Sequence, residues 1–172
     1  MKILIVVDMQ NDFIDGSLAN PAAQKIIPEM VGFIKQFNKV IFTRDTHEVN
    51  YLETAEGKSL PIKHCIRKTD GWNIRRELED AALDSPNMKY IGYIDKPTFG
   101  YMDWKLNLNY DDEIVMVGTC TDICVISNAL ILKAKYPENK ITVVGHLCAG
   151  LTEEKHKAAL NVMRSCQIEV LD

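Results

Sequence analysis

The sequence predicts an α/β fold: a single doubly wound, Rossmann-like sheet of six parallel strands with helices on both faces. Six short apolar runs lack the alternation of a half-exposed strand and are therefore typical of strands buried on both faces. Helical patterns lie between these runs, and such alternation of strands and helices indicates parallel pairing. Neither a repeat nor a linker interrupts the pattern, so we predict one domain over residues 1–172.

The six predicted strands, in chain order, are Lys2–Asp8, Lys39–Asp45, Met88–Asp95, Glu113–Thr119, Lys140–His146 and Gln167–Asp172. The predicted helices are Ala22–Phe37, Asn73–Leu83, Asp122–Tyr136 and Glu153–Cys166. We expect Asp122 to cap the third of these helices, with Thr121 as the alternative. The expected strand order is 3-2-1-4-5-6, and ligands of such sheets bind where the carboxyl ends of the strands meet.

Composition excludes several classes of partner. The net charge of -4 provides no positive field that would attract nucleic acid or anionic lipid. No apolar stretch is long enough to span a bilayer, and no signal peptide precedes the first predicted strand. The five cysteines are an odd number and include no C-x-x-C pair, which favours a reducing cytoplasm over a disulfide framework. We therefore expect a cytoplasmic protein with a small-molecule partner, and neither nucleic acid nor membrane.

Reactive side chains follow the ends of several predicted strands. Asp8 ends the first strand, Lys96 follows the third, and Cys124 lies in the first turn of the helix after the fourth. A thiol at a helix start can have its pKa lowered by the unpaired N–H groups and the helix dipole. Asp8 could then accept the thiol proton, and Lys96 could stabilise the resulting charge. Taken singly, these residues are more typical of a buried cysteine, a strand-ending aspartate and a solvated lysine than of a catalytic site.

A long stretch without clear periodicity, from Asp45 to about Gly71, suggests a functional loop. Its Asp, Glu and two His residues form a plausible mixed site for zinc, manganese or iron: Asp45, His47, Glu56 and His64. Glu48 and Glu53 compete with Glu56 on spacing alone, and a polar surface loop is the other interpretation. His156, which lies among charged residues of a predicted helix, is expected to be a solvated side chain.

Three motifs in order along the chain resemble the isochorismatase-like cysteine hydrolases. They are "VVDMQNDF", "DKPTFGY" and "GTCTDICVISNA", and together with the strand and helix pattern they extend the resemblance over essentially the whole chain. The resemblance implies that Asp8 is the general base, Lys96 the lysine of the triad and Cys124 the nucleophile. It also implies an oxyanion hole made by the backbone N–H groups of Cys120 and Cys124, with a cis peptide bond between Thr119 and Cys120.

Within that family, "RDTHEVNYLETAEGKSLPIKHC" is similar to the metal loop of nicotinamidases, also known as pyrazinamidases. This likeness implies one divalent metal ion held by Asp45, His47, Glu56 and His64, with zinc expected and manganese or iron open. It implies hydrolysis of nicotinamide to nicotinate and ammonia, in which the metal holds the ring nitrogen. The substrate-binding residues that the resemblance suggests are Phe13 and Phe99 on either side of the ring, and Leu60, Trp72, Tyr101 and Ile123 around it.

Two other interpretations remain open at this point. A related amidase could act on another small amide with the same catalytic residues. A metal-binding module without activity could keep the fold, although it would have no need for all three of Asp8, Lys96 and Cys124. Relatives often self-associate, so a homo-oligomer is also open.

Overall fold

The computed structural model describes residues 1–172 and contains one six-stranded parallel sheet. The strands are β1 (Lys2–Val7), β2 (Lys39–Asp45), β3 (Tyr90–Lys96), β4 (Glu113–Thr119), β5 (Lys140–Ala149) and β6 (Glu169–Leu171). Their order across the sheet is β3-β2-β1-β4-β5-β6. The predicted doubly wound fold and its strand order are confirmed.

Six α-helices accompany the sheet: α1 (Asn11–Ile14), α2 (Pro21–Ile34), α3 (Ala55–Ser59), α4 (Arg76–Leu83), α5 (Ile126–Lys135) and α6 (Glu153–Ser165). Alternate residues along the strands pack into two separate hydrophobic cores, one on each face of the sheet. Leu4 and Val6 of β1 pack on the side of α2 and α4, whereas Ile3 and Ile5 pack on the side of α5 and α6. The two cores cover both faces of the sheet, which explains why its strands are continuously apolar. No helix combines the length and hydropathy that a membrane span requires.

The long loop after β2 has more local structure than the sequence predicts. It contains a 3₁₀ turn at Tyr51–Glu53 and the five-residue helix α3, whose first turn is capped by the side chain of Thr54. Elements of three to five residues are too short to produce a recognisable hydrophobic period. The loop is therefore a folded segment and not a plain surface loop.

The prediction of the cap before α5 is wrong. Cys120 occupies the cap position, and residues Thr121–Val125 form a turn of π-helix before α5 begins. No side chain caps this turn. The carboxylate of Asp122 instead accepts a hydrogen bond of 2.9 Å from the N–H of Leu151, just before α6. The side chain of Asp122 therefore binds a distant segment of the chain instead of capping the turn in which it lies.

Candidate active site

Four neighbouring strands bring the predicted reactive residues to one edge of the sheet. Asp8 follows β1, Asp45 ends β2, Lys96 ends β3, and Cys124 lies in the π-turn that follows β4. Because β3, β2, β1 and β4 are adjacent and parallel, their carboxyl ends converge. The strand order itself therefore assembles a site from residues that are far apart in the chain.

Asp8, Lys96 and Cys124 form a compact buried group at this edge. The Nζ atom of Lys96 lies 2.6 Å from Oδ2 of Asp8 and 3.5 Å from Sγ of Cys124. It also donates a hydrogen bond of 3.1 Å to the carbonyl of Thr98. The side chains of Asp8 and Lys96 are fully inaccessible to solvent. The lysine thus joins the carboxylate and the thiol in a group that is shielded from solvent.

Asp8 is fixed by the neighbouring strand. The hydroxyl of Thr43 on β2 donates a hydrogen bond of 2.6 Å to Oδ1 of Asp8. The backbone of Asp8 has a φ of 49°, in the left-handed region, which turns the chain away from the strand direction at this point. Its N–H donates to the backbone carbonyl of Thr43 at 3.2 Å. One carboxylate oxygen is held by Thr43 and the other faces Lys96.

Burial strongly shifts the pKa values of the thiol and the carboxyl in this group. Burial raises the pKa of the Cys124 thiol well above its usual value, and the charge of Asp8 acts in the same direction while Lys96 opposes it. The thiol pKa is therefore not lowered, contrary to the expectation from its place at a helix start. Burial also raises the pKa of Asp8, against the influence of Lys96, and so makes its carboxylate a stronger base. Both groups therefore bind a proton more tightly than they would in water.

The backbone around Cys120 has the form that the family resemblance implies. The peptide bond between Thr119 and Cys120 is cis. The carbonyl of Cys120 accepts hydrogen bonds from the N–H groups of Ile123 and Val125, at 3.0 and 3.1 Å. These bonds fix the backbone of Cys120 at the start of the turn that carries Cys124.

A second cluster, next to the first, gathers the four predicted metal ligands Asp45, His47, Glu56 and His64. One ligand atom from each of them lies within 4.8 Å of the others. Nε2 of His47 is 3.0 Å from Oδ2 of Asp45 and 3.5 Å from Oε1 of Glu56. Nε2 of His64 lies 3.5 Å from the same oxygen of Asp45. Two imidazoles and two carboxylates facing one small volume are a donor set suited to zinc, manganese or iron.

Further observations show that this cluster is suited to bind a cation. Nδ1 of His64 pairs with the carbonyl of Ile62 at 2.8 Å, which leaves its Nε2 for a ligand bond. Oδ1 of Asp45 is buried without a hydrogen-bond partner. Burial, followed by the charge of Asp45, raises the pKa of the Glu56 carboxyl. A cation between the two carboxylates would remove their repulsion.

The structure separates Glu56 from its two rivals. Glu48 pairs with Arg67 at 2.8 Å and is mostly exposed, and Glu53 is exposed at the end of the 3₁₀ turn. Only Glu56, in the first turn of α3, reaches the two histidines. The short helix that the sequence did not reveal is therefore what turns this carboxylate inward.

Several residues that support the site were not anticipated from the sequence. Gln10 is fully buried and holds both backbone groups of Asp45: its Oε1 accepts from the N–H at 2.7 Å, and its Nε2 donates to the carbonyl at 2.9 Å. Asp12 accepts the N–H of Cys65, next to His64, at 2.7 Å. The buried ring of Tyr51 lies against both histidines, with centroids 4.6 Å from His47 and 5.0 Å from His64. Only the three-dimensional pairing of distant segments reveals these contacts.

The predicted substrate-binding residues occupy different environments. The ring of Phe13 lies 5.7 Å from that of His64, beside the metal cluster. Phe99 and Leu60 are exposed. The indole of Trp72 donates to the hydroxyl of Thr46 at 2.8 Å, and the guanidinium of Arg44 lies over its ring.

Tyr101 and Ile123 pack against the core beside α5 and α6. The ring of Tyr101 meets that of Trp104 edge-on at 5.6 Å. Both residues are only half-buried, so packing accounts for part of each side chain.

The two remaining histidines also differ. His146 is exposed and lies 3.3 Å from Glu29 on the surface. His156, in contrast, is not a simply solvated side chain: its Nδ1 is 2.8 Å from the hydroxyl of Thr121 in the turn before α5. The sequence-based expectation for His156 is therefore wrong, because α6 packs onto this turn.

Comparison with known proteins gives a consistent result. A sequence model described as "Isochorismatase domain" matches residues 2–172. A nicotinamidase/pyrazinamidase of Mycobacterium tuberculosis is 28% identical over 186 residues, covering 99% of this chain and 98% of that protein. A pyrazinamidase/nicotinamidase of Streptococcus mutans superposes with a TM-score of 0.83 at 27% identity, over 99% of this chain and 100% of the other. A pyrazinamidase of Pyrococcus horikoshii, solved in complex with zinc, gives a TM-score of 0.78 at 26% identity, over 99% and 98% of the two chains.

Proposed function

This chain belongs to the isochorismatase domain family, and from that membership we propose that it is a nicotinamidase, an amidohydrolase that converts nicotinamide and water to nicotinate and ammonia. Two relatives with this activity in their names, those of Mycobacterium tuberculosis and Streptococcus mutans, each cover 99% of the chain. The observation that carries the proposal is the contact between the two clusters. Nζ of Lys96, which touches Asp8 and Cys124, is also 3.6 Å from Oδ1 of Asp45 in the proposed metal cluster.

We propose zinc as the metal, because a pyrazinamidase of the same fold was solved in complex with zinc and the four donors suit that ion. A zinc ion held by Asp45, His47, Glu56 and His64 would supply a coordination position for the ring nitrogen of the substrate. Gln10 would keep Asp45 in place through hydrogen bonds to its backbone. Tyr51 would keep the two imidazoles in place through its ring contacts with His47 and His64. The aromatic ring of Phe13 beside His64 is suited to pack on a flat heteroaromatic ring.

The proposed reaction starts with proton transfer from the thiol of Cys124 to the carboxylate of Asp8. This transfer keeps the total charge around Lys96 constant, because a thiolate replaces a carboxylate beside the same ammonium group. The raised pKa of the thiol therefore does not prevent the step, since the base and the stabilising cation are both in place. Although burial acts in the opposite direction, the charges of Asp8, Cys124 and Asp45 keep the pKa of Lys96 above its usual value.

The thiolate sulfur then attacks the carboxamide carbon, and the electron pair of the C=O bond moves to the oxygen. The N–H groups of Cys120 and Cys124 are proposed to stabilise that oxyanion. When the intermediate collapses, the C–N bond breaks and protonated Asp8 gives its proton to the departing amine as ammonia. Asp8 next accepts a proton from the water that attacks the thioester. The C–S bond breaks, and the proton on Asp8 returns to the sulfur. Nicotinic acid leaves and ionises to nicotinate, and its proton is taken up by the released ammonia in solution.

The five cysteines form no disulfide, which supports the expectation of a cytoplasmic enzyme.

Pyrazinamide is the second substrate that we propose, since it carries the same ring nitrogen and carboxamide and since the Mycobacterium tuberculosis relative is named for both activities.

The test is a comparison of nicotinamide, pyrazinamide and benzamide as substrates of the metal-loaded protein. Benzamide has the same carboxamide on a ring without nitrogen. We expect ammonia release from nicotinamide and pyrazinamide. The kcat/KM for benzamide should be at least about a hundredfold lower, because its ring has no nitrogen to pair with the polar site that is proposed to bind that atom. Equal hydrolysis of all three amides would contradict the role of the ring nitrogen. No ammonia from nicotinamide would contradict the proposed activity.

A further inference from the structure

Asn128 is a fully buried polar residue on α5, one turn after Cys124, and none of the roles above involves it. Its side-chain nitrogen donates to the carbonyl of Cys124 at 2.8 Å and to that of Phe99 at 3.0 Å. Its side-chain oxygen accepts from the N–H of Tyr101 at 2.9 Å and from the indole of Trp104 at 3.3 Å. These four bonds use the whole hydrogen-bonding capacity of an asparagine.

Three of the four bonds go to the segment after β3, residues 97–104, which passes over α5. The same segment supplies the carbonyl of Thr98 that accepts a hydrogen bond from Lys96. It runs very close to the helix: a Cβ atom at Gly100 would lie 2.5 Å from Cδ1 of Ile131. Asn128 therefore ties the strand-end segment that carries Phe99 to the backbone of the nucleophile.

The side chain of Phe99 itself is 44% exposed, so packing alone does little to fix its position. Its backbone, in contrast, is bound through its carbonyl to the amide that also binds Cys124. We infer that Asn128 is a positioning residue that holds Phe99, as a wall of the substrate pocket, at a set distance from the nucleophile. This inference rests on the proposed function, because Phe99 has a role only if a ring binds there.

The first arm of the test uses Asn128→Leu in the metal-loaded enzyme. Leucine has a similar size and removes all four bonds. We expect KM for nicotinamide to rise about tenfold or more, with a smaller fall in kcat, because ring binding is lost more than reactivity at Cys124. The matched control is Leu132→Ala, a fully buried residue one turn further along α5 that donates no side-chain hydrogen bond to the segment. That variant loses packing in the same core, and its KM should stay within about twofold of wild type.

The second arm asks whether Asn128 acts through Phe99. Phe99→Ala alone should raise KM, and adding Asn128→Leu should then raise it by less than about twofold, because coupled residues are not additive. The same rise in both backgrounds, or no rise in either, would overturn the inference. A role limited to stability would lower the unfolding midpoint without this coupling.

The third arm does not depend on the substrate. Amide hydrogen exchange of residues 98–104 should become faster in Asn128→Leu and unchanged in Leu132→Ala, since the N–H of Tyr101 loses its acceptor only in the former. Unchanged exchange in Asn128→Leu would overturn the tether even if nicotinamide proved not to be a substrate. If that variant does not fold, Asn128→Asp provides the kinetic tests of the first two arms, because it loses the two donor bonds to the carbonyls of Phe99 and Cys124 while Tyr101 keeps its acceptor. Absence of any wild-type hydrolysis would count against the proposed function alone.

Discussion

The two edges of the sheet carry charged pairs in opposite environments. At the carboxyl edge, Asp8 and Lys96 pair at 2.6 Å with both side chains fully buried. At the amino edge, Lys140 pairs with Glu169 at 3.0 Å, but these side chains remain 50% and 43% exposed. A carboxylate and an ammonium group therefore meet at similar distances at both edges. The pair at the carboxyl edge is shielded from water, whereas the pair at the amino edge is exposed to it.

This difference indicates what each pair is for. Burying an ion pair costs more desolvation energy than the attraction commonly returns, so such a pair is weak evidence for stability. An exposed pair contributes about 0–1 kcal/mol and is screened by salt. The buried pair at the carboxyl edge is therefore best explained by chemistry that needs charge in a dry site.

A wide cavity lies on the opposite side of the molecule from the reactive residues. It measures about 870 Å³ and lies at the amino edge, between residues such as Lys2, Phe37, Lys140 and Glu169. It contains neither a nucleophile nor a ligand cluster. The presence of a cavity therefore does not by itself identify the site that the reactive residues form.

The largest expected effect comes from removing the nucleophile. Cys124→Ala should lower kcat for nicotinamide by about 10⁴-fold or more, while the protein remains folded, because the thiol supplies the covalent step and little stability. Ammonia release and circular dichroism measured on one preparation would check both statements. Near wild-type hydrolysis by this variant would contradict the proposed mechanism.

The next effect compares the two edges directly. Asp8→Asn removes the base and leaves the buried ammonium of Lys96 without its nearest partner, so turnover should be lost. The free energy of unfolding should fall by about 3–5 kcal/mol, as expected when one partner of a buried pair is removed. Urea unfolding would measure it. A loss below about 1 kcal/mol would show that the buried pair contributes no more to stability than an exposed surface pair does.

Removal of the metal should have a smaller effect on the reaction. In a chelated sample, we expect KM for nicotinamide to rise about tenfold or more with a lesser fall in kcat, because the cluster is proposed to bind the ring and not to react. Kinetics should be measured together with metal analysis, before and after zinc is restored. Unchanged kinetics in a verified metal-free sample would rule out the proposed ligand role.

The two cysteines near the turn should differ sharply. Cys120 is proposed to act through its backbone N–H, so Cys120→Ala should change kcat/KM by less than about threefold, whereas loss of the Cys124 thiol removes the nucleophile. Steady-state kinetics of the single variant would check this. A loss comparable to that of Cys124→Ala would assign the Cys120 sulfur a part in the reaction.

The smallest effect is expected at the amino edge. Glu169→Gln should leave activity unchanged and lower stability by less than about 1 kcal/mol. Hydrogen bonds from Thr142 and Lys140 hold the pKa of Glu169 below its usual value. Its contribution is therefore present above the unfolded pKa of about 4.3 and is lost as pH falls through the lower folded value. Urea unfolding of both proteins at neutral and acidic pH should show the difference disappear in acid. A difference that persists or grows in acid would contradict this assignment.

The sequence predicted the sheet and the residues at its carboxyl edge well, because buried parallel strands produce continuous apolar runs whose ends can be read directly. It could not predict the thiol pKa of Cys124, since the helix start is visible in the sequence but full burial beside Asp8 is not. Gln10, Tyr51 and Asn128 were also missed. Their roles depend on hydrogen bonds and ring contacts to distant segments, and no local spacing signals such contacts.

The most direct test of the central claim measures ammonia and nicotinate together from the metal-loaded protein before and after alkylation of Cys124. Cys166 is the exposed cysteine, so Cys166→Ser provides the background in which alkylation is followed by peptide mass spectrometry. We predict equal amounts of the two products, at a rate proportional to enzyme concentration, and loss of turnover in step with alkylation of Cys124. Absence of either product, or hydrolysis that survives complete alkylation of Cys124, would contradict the account.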